Sequence, residues 1–230
     1  MSTTVDRVTA PVNGPRQYRS AMRAEQAAAT RHRLLSAGWT LFTEQGYAAT
    51  TVTEVARAAG TSVDTLYATI GRKPVLMRAV VESAISGTDQ TIPALQRGYV
   101  QRVRAAPTAA EKLELYAAAI AEMSPRTAPI FLALRDAAQT DAECDALGAE
   151  ISSRRASNMR DFAAELRETG ELRDGLTDDA VGDIIWATAG AEHYAQLVLG
   201  RGWTPAQFGD YLRELWSSLF LARRDIRPPS

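Results

Sequence analysis

The chain has 230 residues, of which 46% are hydrophobic and 23% are charged, so it contains enough apolar side chains for a sizeable core. No apolar stretch is long enough for a membrane-spanning helix, and the polar N-terminus lacks the apolar segment of a secretory signal. Cys144 is the only cysteine, which excludes an intrachain disulfide, and its spacing from His32 and His193 fits no metal site. These features predict a cytoplasmic protein with no membrane segment and no cofactor.

The net charge of −1 conceals an uneven distribution of charge along the chain. Residues 1–80 contain ten basic and five acidic residues, whereas residues 81–230 contain 16 basic and 22 acidic residues. A basic segment attached to an acidic body is what a phosphate-binding part of a protein needs. The charge distribution therefore favours nucleic-acid contact by the first third of the chain.

Residues 1–24 mix Thr, Pro, Asn, Gly and Arg without apolar periodicity, and we predict a flexible basic arm there. From about Glu25 the apolar residues recur with a helical period, and no alternating strand pattern appears. A first helix is predicted to end at Gly46, because glycine favours the left-handed backbone of a helix C-cap. Its apolar face consists of Leu34, Leu35, Gly38, Leu41 and Phe42.

Two short helices joined by a glycine-containing turn are predicted next. Thr51 and Glu54 have the spacing of a capping box for the first helix, and Ser62 is predicted to cap the second, from Val63 to about Thr69. Gly60 between them suits backbone angles that a Cβ atom disfavours. This pattern is typical of the helix-turn-helix, whose second helix enters the major groove of DNA.

The rest of the chain is predicted to be a bundle of helices. Pro74 suits the first turn of a helix, and Thr204 with Gln207 forms a second capping box. The predicted helices lie near residues 75–103, 108–123, 127–138, 142–169, 177–199 and 204–224. The predicted fold class is therefore all-α with about nine helices. A three-helix helix-turn-helix head (25–74) is joined to a C-terminal helical bundle (75–230).

Three runs of residues resemble the tetracycline-repressor (TetR) family. The run from Arg33 to Tyr47 resembles the first helix of that family, and the run from Thr50 to Ser62 resembles its second helix and turn. Thr65-Leu66-Tyr67, followed by Lys73 and Leu76, resembles the recognition helix and the start of the fourth helix. The resemblance implies a nucleoid-associated transcription regulator that binds a palindromic operator as a homodimer and responds to a small molecule, most often as a repressor.

The resemblance also implies which residues contact double-stranded operator DNA. Phosphate contacts are expected from Thr51, Ser62, Thr65, Tyr67 and Lys73. Base or groove contacts are expected from Val63, Asp64, Ala68, Thr69, Arg31 and Arg33. Two departures from common family residues leave alternatives open: Asp64 replaces the usual Gly and has the option of capping the recognition helix, and Thr69-Ile70 replaces an aromatic pair. For Tyr67 the alternative is packing alone.

The acidic body is larger than a helix-turn-helix needs for support, and the resemblance implies a ligand-binding and dimerisation domain. Aromatic residues, methionines and one histidine on apolar faces are candidates for a largely apolar ligand pocket: Tyr116, Met123, Phe131, Met159, Phe162, Trp186, His193 and Tyr194. Residues of the last two helices are candidates for the dimer interface: Ile184, Phe208, Tyr211, Leu212, Leu215, Trp216 and Leu219. For every member of both sets, the alternative is a place in the core.

Two other classes of function compete with a ligand-responsive repressor. An enzyme that uses a pocket in the bundle is disfavoured, because no nucleophile elbow, phosphate-binding loop, metal signature or His–carboxylate pair is present in the sequence. An architectural DNA-binding protein without a ligand is disfavoured by the size of the acidic body. The sequence therefore favours a regulator that is not an enzyme.

Overall fold

The computed structural model describes residues 15–222, and over this range the chain is helical apart from turns, loops and one isolated bridge between Leu172 and Leu221. The predicted all-α class is confirmed. The α-helices are α1 (Pro15–Glu44), α2 (Val52–Ala58), α3 (Val63–Thr69), α4 (Lys73–Ser86), α5 (Gly98–Ala105), α6 (Ala109–Ala138), α7 (Ala142–Arg167), α8 (Asp178–Thr188), α9 (Ala191–Tyr194) and α10 (Pro205–Phe220). A short 3-10 helix, Ala94–Gln96, precedes α5, and a π-helical turn, Ala195–Leu199, continues α9.

The head comprises α1 to α4, and its local signals act as the sequence predicts. Thr51 caps α2 in a complete capping box with Glu54, and the Ser62 hydroxyl caps α3 by accepting from the Thr65 backbone N–H. Gly60 has a positive φ of 66°, which explains why the turn between α2 and α3 contains a glycine. These caps and this turn fix the angle at which α3 leaves α2.

The first helix begins earlier than the sequence predicts. It starts at Pro15, so the predicted flexible arm of residues 1–24 is wrong over residues 15–24, and residues 1–14 lie outside the described residues. The described side chains between positions 20 and 29 are all exposed. A helix that is exposed on every side has no apolar stripe, and the periodicity on which the prediction depended is therefore absent there.

The predicted helix at 75–103 is two helices in the structure. Helix α4 ends at Ser86, and Gly87 follows with a positive φ of 70°, a left-handed C-cap. An irregular segment and the 3-10 helix then lead to α5. The sequence prediction missed this break because Val80, Val81 and Ile85 extend the apolar period almost to the glycine.

Conversely, the predicted helices at 108–123 and 127–138 are one continuous helix, α6. Pro125 and Pro129 lie inside it, although each removes a backbone donor. The Ser124 hydroxyl donates to the Ile120 carbonyl at 2.7 Å, and the Thr127 hydroxyl donates to the Met123 carbonyl at 3.0 Å. Helix α6 packs against α4, α5, α7 and α10, and this packing keeps it continuous through both prolines.

The predicted helix at 177–199 is interrupted near Gly190. Helix α8 ends at Thr188, and α9 starts at Ala191 before passing into the π-helical turn. A Cβ atom at Gly190 would lie 3.1 Å from the Ala187 carbonyl oxygen, so the glycine permits this tight change of direction. The last helix starts at Pro205 with its predicted capping box but ends at Phe220, four residues before the predicted end.

Two hydrophobic clusters hold the helices together. The first joins the head, through Phe42 and Leu66, to the ends of α6 and α7, through Leu134 and Leu147. The second fills the body around Trp216. The head therefore shares its core with α6 and α7. None of the described helices is both long and apolar enough to cross a membrane.

Candidate functional site

Helix α3 presents an exposed face that holds two of the residues predicted to contact bases, Asp64 and Ala68. Asp64, Tyr67 and Ala68 are exposed, and Tyr67 is 50% exposed as a residue, which is unusually high for an aromatic residue. Leu66, on the opposite face, is fully buried in the head core. Thr65 and Thr69 are half-buried at the edges of the exposed face. The short helix is thus anchored by one leucine and offers its other side to solvent.

Val63 differs from the other residues that were predicted to contact bases, because its half-buried side chain packs against the head core. Asp64 is free of the alternative role in capping: the N-cap of α3 is Ser62, and the Asp64 carboxylate forms no hydrogen bond with any residue in 15–222. A carboxylate in the first turn is favoured by the helix dipole, although it repels phosphates. The exposed face therefore combines one anionic and several small or aromatic groups.

The hydroxyls predicted to contact phosphates lie at helix N-termini, where backbone N–H groups are unpaired by the helix itself. The Thr51 hydroxyl donates to the Glu54 carboxylate at 2.8 Å, and the Ser62 and Thr65 hydroxyls lie 2.8 Å apart. Hydrogen bonds from Thr51 lower the pKa of Glu54, which favours its ionised form. Thr51 and Ser62 are both exposed, so their remaining hydrogen-bonding capacity faces solvent.

Lys73 is the first residue of α4 and lies close to the loop between α1 and α2. Its Nζ is 4.2 Å from the centroid of the Tyr47 ring and donates to the Ala48 carbonyl oxygen at 3.5 Å. Partial burial lowers the pKa of the ammonium, while the charges of Asp141 and Glu54 oppose that shift. The cation–π contact holds the ammonium in one place at the edge of the head.

Arg31 and Arg33, predicted to contact a groove, both have contacts within the chain. The Arg33 Nε donates to the Ala59 carbonyl oxygen at 3.1 Å, which braces the turn of the helix-turn-helix from α1. The Arg31 Nε donates to the Asp89 carbonyl oxygen at 3.4 Å. Arg33 remains exposed while Arg31 is half-buried, so the guanidinium of Arg33 is the more accessible of the two.

The head is tied to the body by a buried tyrosine that sequence reasoning did not identify. Tyr47 is 7% exposed, and its hydroxyl donates to the carboxylate of Asp141 at 2.6 Å. Asp141 also caps α7 by accepting from the backbone N–H groups of Glu143 and Cys144. The Tyr47 hydroxyl is the largest cause that lowers the pKa of Asp141. One short hydrogen bond thus joins the loop between α1 and α2 to the N-terminus of α7.

Replacing Tyr47 with phenylalanine is expected to lower the free energy of unfolding by about 1 kcal/mol at pH 7, the net value of one hydrogen bond. The folded-state pKa of Asp141 lies below its unfolded value of about 3.9, so its contribution is present above that pH and is lost as the pH falls through the lowered pKa. Urea unfolding at pH 7 and pH 3 measures both effects. The difference between Tyr47→Phe and the native protein should shrink at pH 3.

Tyr67→Phe is the matched control for this experiment, because the exposed Tyr67 hydroxyl has no hydrogen-bond partner among residues 15–222. It should leave the free energy of unfolding unchanged at both pH values. An equal loss of stability in Tyr47→Phe at pH 7 and pH 3 would show that the carboxylate bond contributes nothing.

Two ion pairs reinforce the contact between α4 and α7. Arg72 pairs with Glu143, and the Arg78 Nη2 lies 2.9 Å from the Glu150 carboxylate. All four side chains are substantially exposed, so each pair is worth only about 0–1 kcal/mol. The two ion pairs add little stability, but they align one face of α4 with the N-terminal half of α7.

A cavity of about 800 Å³ lies in the body, bounded by α4 to α9 and by the segment from Thr91 to Arg97. This volume falls within the range of about 300–1,000 Å³ that is typical of small-molecule sites. Five of the predicted pocket residues line it: Tyr116, Met123, Phe131, Met159 and Trp186. The sequence did not identify three polar residues of its wall, Arg97, Tyr99 and Arg155.

The other three predicted pocket residues do not line this cavity. Phe162 lines a smaller adjoining cavity of about 100 Å³, together with Tyr116 and Met159. Tyr194 is 3% exposed and packs edge-on against Phe208 in the body core. The His193 Nε2 lies 3.3 Å from the Tyr211 hydroxyl, and burial lowers the pKa of the imidazole. His193 and Tyr194 precede the π-helical turn, and the break at Gly190 turns them toward α10.

The predicted dimer-interface residues divide into two groups. Phe208, Leu212 and Trp216 are fully buried within this single chain, so they belong to its core and the prediction of an interface role for them is wrong. The reason is that the apolar stripe of α10 packs against α6 and α8 of the same subunit. Half-buried apolar residues remain along the edges of α8 and α10: Ile184, Tyr211, Leu215 and Leu219.

Residues 15–222 contain no group of three or more His, Cys, Asp or Glu side chains that could hold a metal ion. The chemistry of the described part therefore rests on an exposed short helix, on clustered hydroxyls and an ammonium group at the head, and on a mainly apolar cavity in the body.

Comparison with known proteins gives a family match for the head. Residues 34–80 match the family described as bacterial regulatory proteins, tetR family. The match spans the end of α1, all of α2 and α3, and the first half of α4, which is the segment that carries the exposed face. No curated protein matches the sequence.

Solved structures match the fold of nearly the whole chain. A regulator from Saccharomonospora viridis, solved in complex with choline, is 17% identical, with 84% of this chain and 98% of that chain covered and a TM-score of 0.63. FadR from Bacillus subtilis, in complex with stearoyl-CoA, is 19% identical, with 81% and 97% covered and a TM-score of 0.66. NalD, the secondary repressor of a multidrug efflux pump in Pseudomonas aeruginosa, is 18% identical, with 88% and 100% covered and a TM-score of 0.63. At these identities the likeness shows the fold.

Proposed function

The chain is a member of the tetR family of bacterial regulatory proteins by its N-terminal domain, and from that premise we propose that it is a ligand-responsive repressor. It binds a palindromic operator as a homodimer through α3 and releases the DNA when a small molecule occupies the body cavity. The observation that carries the proposal is the exposed face of α3, anchored by fully buried Leu66 and framed by capped helix N-termini.

The electrostatics of the head support DNA binding. Residues 1–80 carry an excess of five positive charges, whereas the rest of the chain is acidic, so DNA is attracted to the head and repelled by the body. The exposed surface of α3 is small enough to enter a major groove, with Ala68 and Tyr67 toward solvent. In this arrangement Thr51, Ser62, Thr65 and Lys73 contact phosphates that flank the groove.

The apolar edges of α8 and α10 support a homodimer. Leu215 and Leu219 lie one helical turn apart on α10, and Ile184 on α8 and Leu199 in the π-helical turn add further apolar surface. Leu199 is 60% exposed, so its side chain is available to a partner at this edge. A second copy that covers these edges in a two-fold assembly would supply the second α3 that a palindromic operator requires.

Helix α7 supports a response to ligand, because it takes part in both sites. Asp141 at its N-terminus accepts the hydrogen bond from Tyr47 of the head, and Met159 in its second half lines the body cavity. A ligand that prefers a shifted α7 therefore prefers a shifted head. Release of DNA then follows from the difference in ligand affinity between the two arrangements.

The operator is found by selecting random DNA duplexes with the purified protein, followed by nuclease protection. The expected result is a palindrome whose half-sites are about one helical turn, or a multiple of it, apart. Sedimentation of the complex should give two chains per operator, and a reporter placed behind the operator should be repressed. Recovery of duplexes with no shared sequence would contradict the proposal and favour an architectural DNA-binding protein.

Replacing Lys73 with glutamine is expected to weaken binding to all operator sequences by a similar factor, because a phosphate contact carries no sequence information. Loss of one phosphate contact should reduce the slope of log affinity against log salt by about 0.9 for each head. Fluorescence anisotropy of a labelled operator across a salt series measures the slope. Lys73→Arg keeps the positive charge and should retain most of the native salt slope.

The matched control is Arg72→Gln, which removes the neighbouring positive charge but one that is already paired with Glu143. It should change the salt slope less than Lys73→Gln does. If Lys73→Gln leaves both the affinity and the slope unchanged while the protein remains folded, the proposed docking of the head on DNA is wrong.

A further inference from the structure

Two half-buried arginines line the body cavity without a carboxylate partner. The first is Arg155 on α7, whose Nη2 donates to the Trp186 carbonyl oxygen at 3.1 Å and to the Ala189 carbonyl oxygen at 3.4 Å. No carboxylate lies within 4 Å of its guanidinium among residues 15–222. The two carbonyls belong to the end of α8, where the helix dipole offsets only part of a full positive charge.

The second is Arg97, at the start of α5. Its Nε and Nη2 both donate to the Ile92 carbonyl oxygen at 3.1 Å, and it too has no carboxylate partner in the described part of the chain. A guanidinium carries five N–H donors, so each arginine keeps donors that no described protein acceptor occupies. Backbone carbonyls hold both side chains at the cavity wall but do not neutralise their charge.

The remaining charged residues of the cavity wall largely cancel one another. Arg135 pairs with Glu192, Arg154 pairs with Glu150, and Glu82 lies 4.0 Å from Arg78 and accepts a hydrogen bond from the Thr91 hydroxyl. Asp145 is exposed at the edge and has no ion-pair partner among residues 15–222. The net electrostatic excess inside the cavity is therefore positive, and it resides on Arg97 and Arg155.

The same wall carries an unused neutral donor. The Trp186 Nε1 is the one buried side-chain polar atom in residues 15–222 without a hydrogen-bond partner. The Arg155 guanidinium carbon lies 5.6 Å from the centroid of the Trp186 ring. A buried donor without an acceptor costs free energy. The Nε1 atom itself is closed off from the cavity space, so the donors that an oxyanion would meet at this wall are those of Arg155 and Arg97.

The rest of the cavity wall is mainly apolar, with the neutral polar side chains of Ser124, Thr127, Ser152 and Asn158 among its lining residues. Tyr99 and Tyr116 stack with their ring centroids 6.4 Å apart, and Met123, Phe131 and Ile120 add apolar surface. The Tyr116 hydroxyl is directed to the Met159 sulfur at 3.3 Å, so it adds little polarity. The apolar surface suits the body of a ligand, and the two arginines suit one charged end.

We propose that the body cavity binds an amphipathic organic anion, with an apolar chain or ring system against the aromatic wall and a carboxylate or similar planar oxyanion at Arg155 and Arg97. A carboxylate matches the fork geometry of a guanidinium, which makes it the oxyanion that this wall recognises best. This inference rests on the proposed function, because it names the class of molecule to which the repressor responds.

Three probes that share one ten-carbon chain test the charge preference: decanoate, decyltrimethylammonium and 1-decanol. Each is titrated into the full-length protein by calorimetry below its micelle-forming concentration. Decanoate is expected to bind at one site per chain and at least about tenfold more tightly than the other two, the usual value of a charge-assisted hydrogen bond. Equal or tighter binding of decyltrimethylammonium or decanol would overturn the proposal, and so would no binding of any probe.

Arginine variants locate the site. Arg155→Gln and Arg97→Gln should each weaken the binding of decanoate by about five- to tenfold, because the charged contact is lost. The affinity for decanol should stay within about twofold of the native value. Arg155→Lys should recover part of the loss. Arg102→Gln is the matched control: Arg102 lies on α5 close to Arg97 but does not line the cavity. A preference for decanoate that persists in both glutamine variants would overturn the assignment.

Operator binding is measured separately, so the two proposals fail in different ways. A protein that protects a palindromic operator but shows no preference for decanoate contradicts this inference alone. A protein that prefers decanoate through Arg155 but binds no specific DNA contradicts the proposed function alone.

Discussion

Replacing Phe42 with alanine is expected to lower the free energy of unfolding by about 3–5 kcal/mol, the cost of removing a fully buried aromatic side chain. Phe42 is 0% exposed and lies at the centre of the cluster that joins the head to α6 and α7. Its ring centroid is 5.6 Å from that of Tyr47, so the substitution also loosens the tyrosine that holds Asp141. Urea unfolding followed by circular dichroism measures the change.

The matched comparison is Tyr67→Ala, which also removes an aromatic ring from the head. Because Tyr67 is 50% exposed on α3, we expect its loss to change stability by no more than about 0.5–1 kcal/mol, while operator affinity falls at every salt concentration. Phe42→Ala should show the opposite pattern, with a large loss of stability and near-normal operator affinity in the fraction that remains folded. If both substitutions reduced stability equally, Tyr67 would be a packing residue and the exposed face of α3 would be misassigned.

The head could be predicted from the sequence because its determinants are local. Thr51 and Ser62 cap the helices that follow them, and Gly60 has the left-handed backbone for which a glycine is needed. Leu66 is the fully buried residue of the seven-residue helix α3, and Val63 of the same helix packs against the head core beside it. The caps and the turn each act within a few residues, so a linear sequence displays them directly.

The body could be predicted only in outline, because its determinants join distant parts of the chain. The Tyr47 hydroxyl and the Asp141 carboxylate are 94 residues apart in sequence, and nothing local to either residue indicates the other. Arg97 and Arg155 look like ordinary surface arginines in the sequence. Their importance comes from half-burial beside a cavity without a carboxylate partner in the described residues, which depends on how α5, α7 and α8 pack.

The dependence on distant parts of the chain also explains why three apolar residues of α10 were wrongly assigned to a dimer interface. Phe208, Leu212 and Trp216 lie on one strongly apolar face of α10, and the sequence cannot say whether such a face meets a second subunit or the same one. The structure shows that α6 and α8 of the same chain cover it, and the Trp216 Nε1 donates to the Thr188 hydroxyl at 2.9 Å. Amphipathicity therefore predicts burial but not the partner that provides it.

Replacing Gly209 with alanine is expected to lower the free energy of unfolding by about 1–3 kcal/mol, the usual cost of overpacking a core. Gly209 lies where α10 crosses α6, and an added Cβ would be 2.8 Å from the Ala121 Cβ and 3.4 Å from the Ala117 carbonyl oxygen. Both neighbours are rigid, so the helices must separate. Alanine's better helix propensity, worth about 1 kcal/mol, offsets only part of this cost. Thermal and urea unfolding measure the net change.

Gly148→Ala is the control, because Gly148 lies inside α7 and an added Cβ would meet nothing within 4 Å. It should stabilise the protein by up to about 1 kcal/mol through helix propensity alone. Combining Gly209→Ala with Ala121→Gly removes the clash, so the pair should be more stable than the sum of the single changes predicts. Additive effects in this pair, or a stabilising effect of Gly209→Ala alone, would show that α10 and α6 are not in the close contact on which the body core depends.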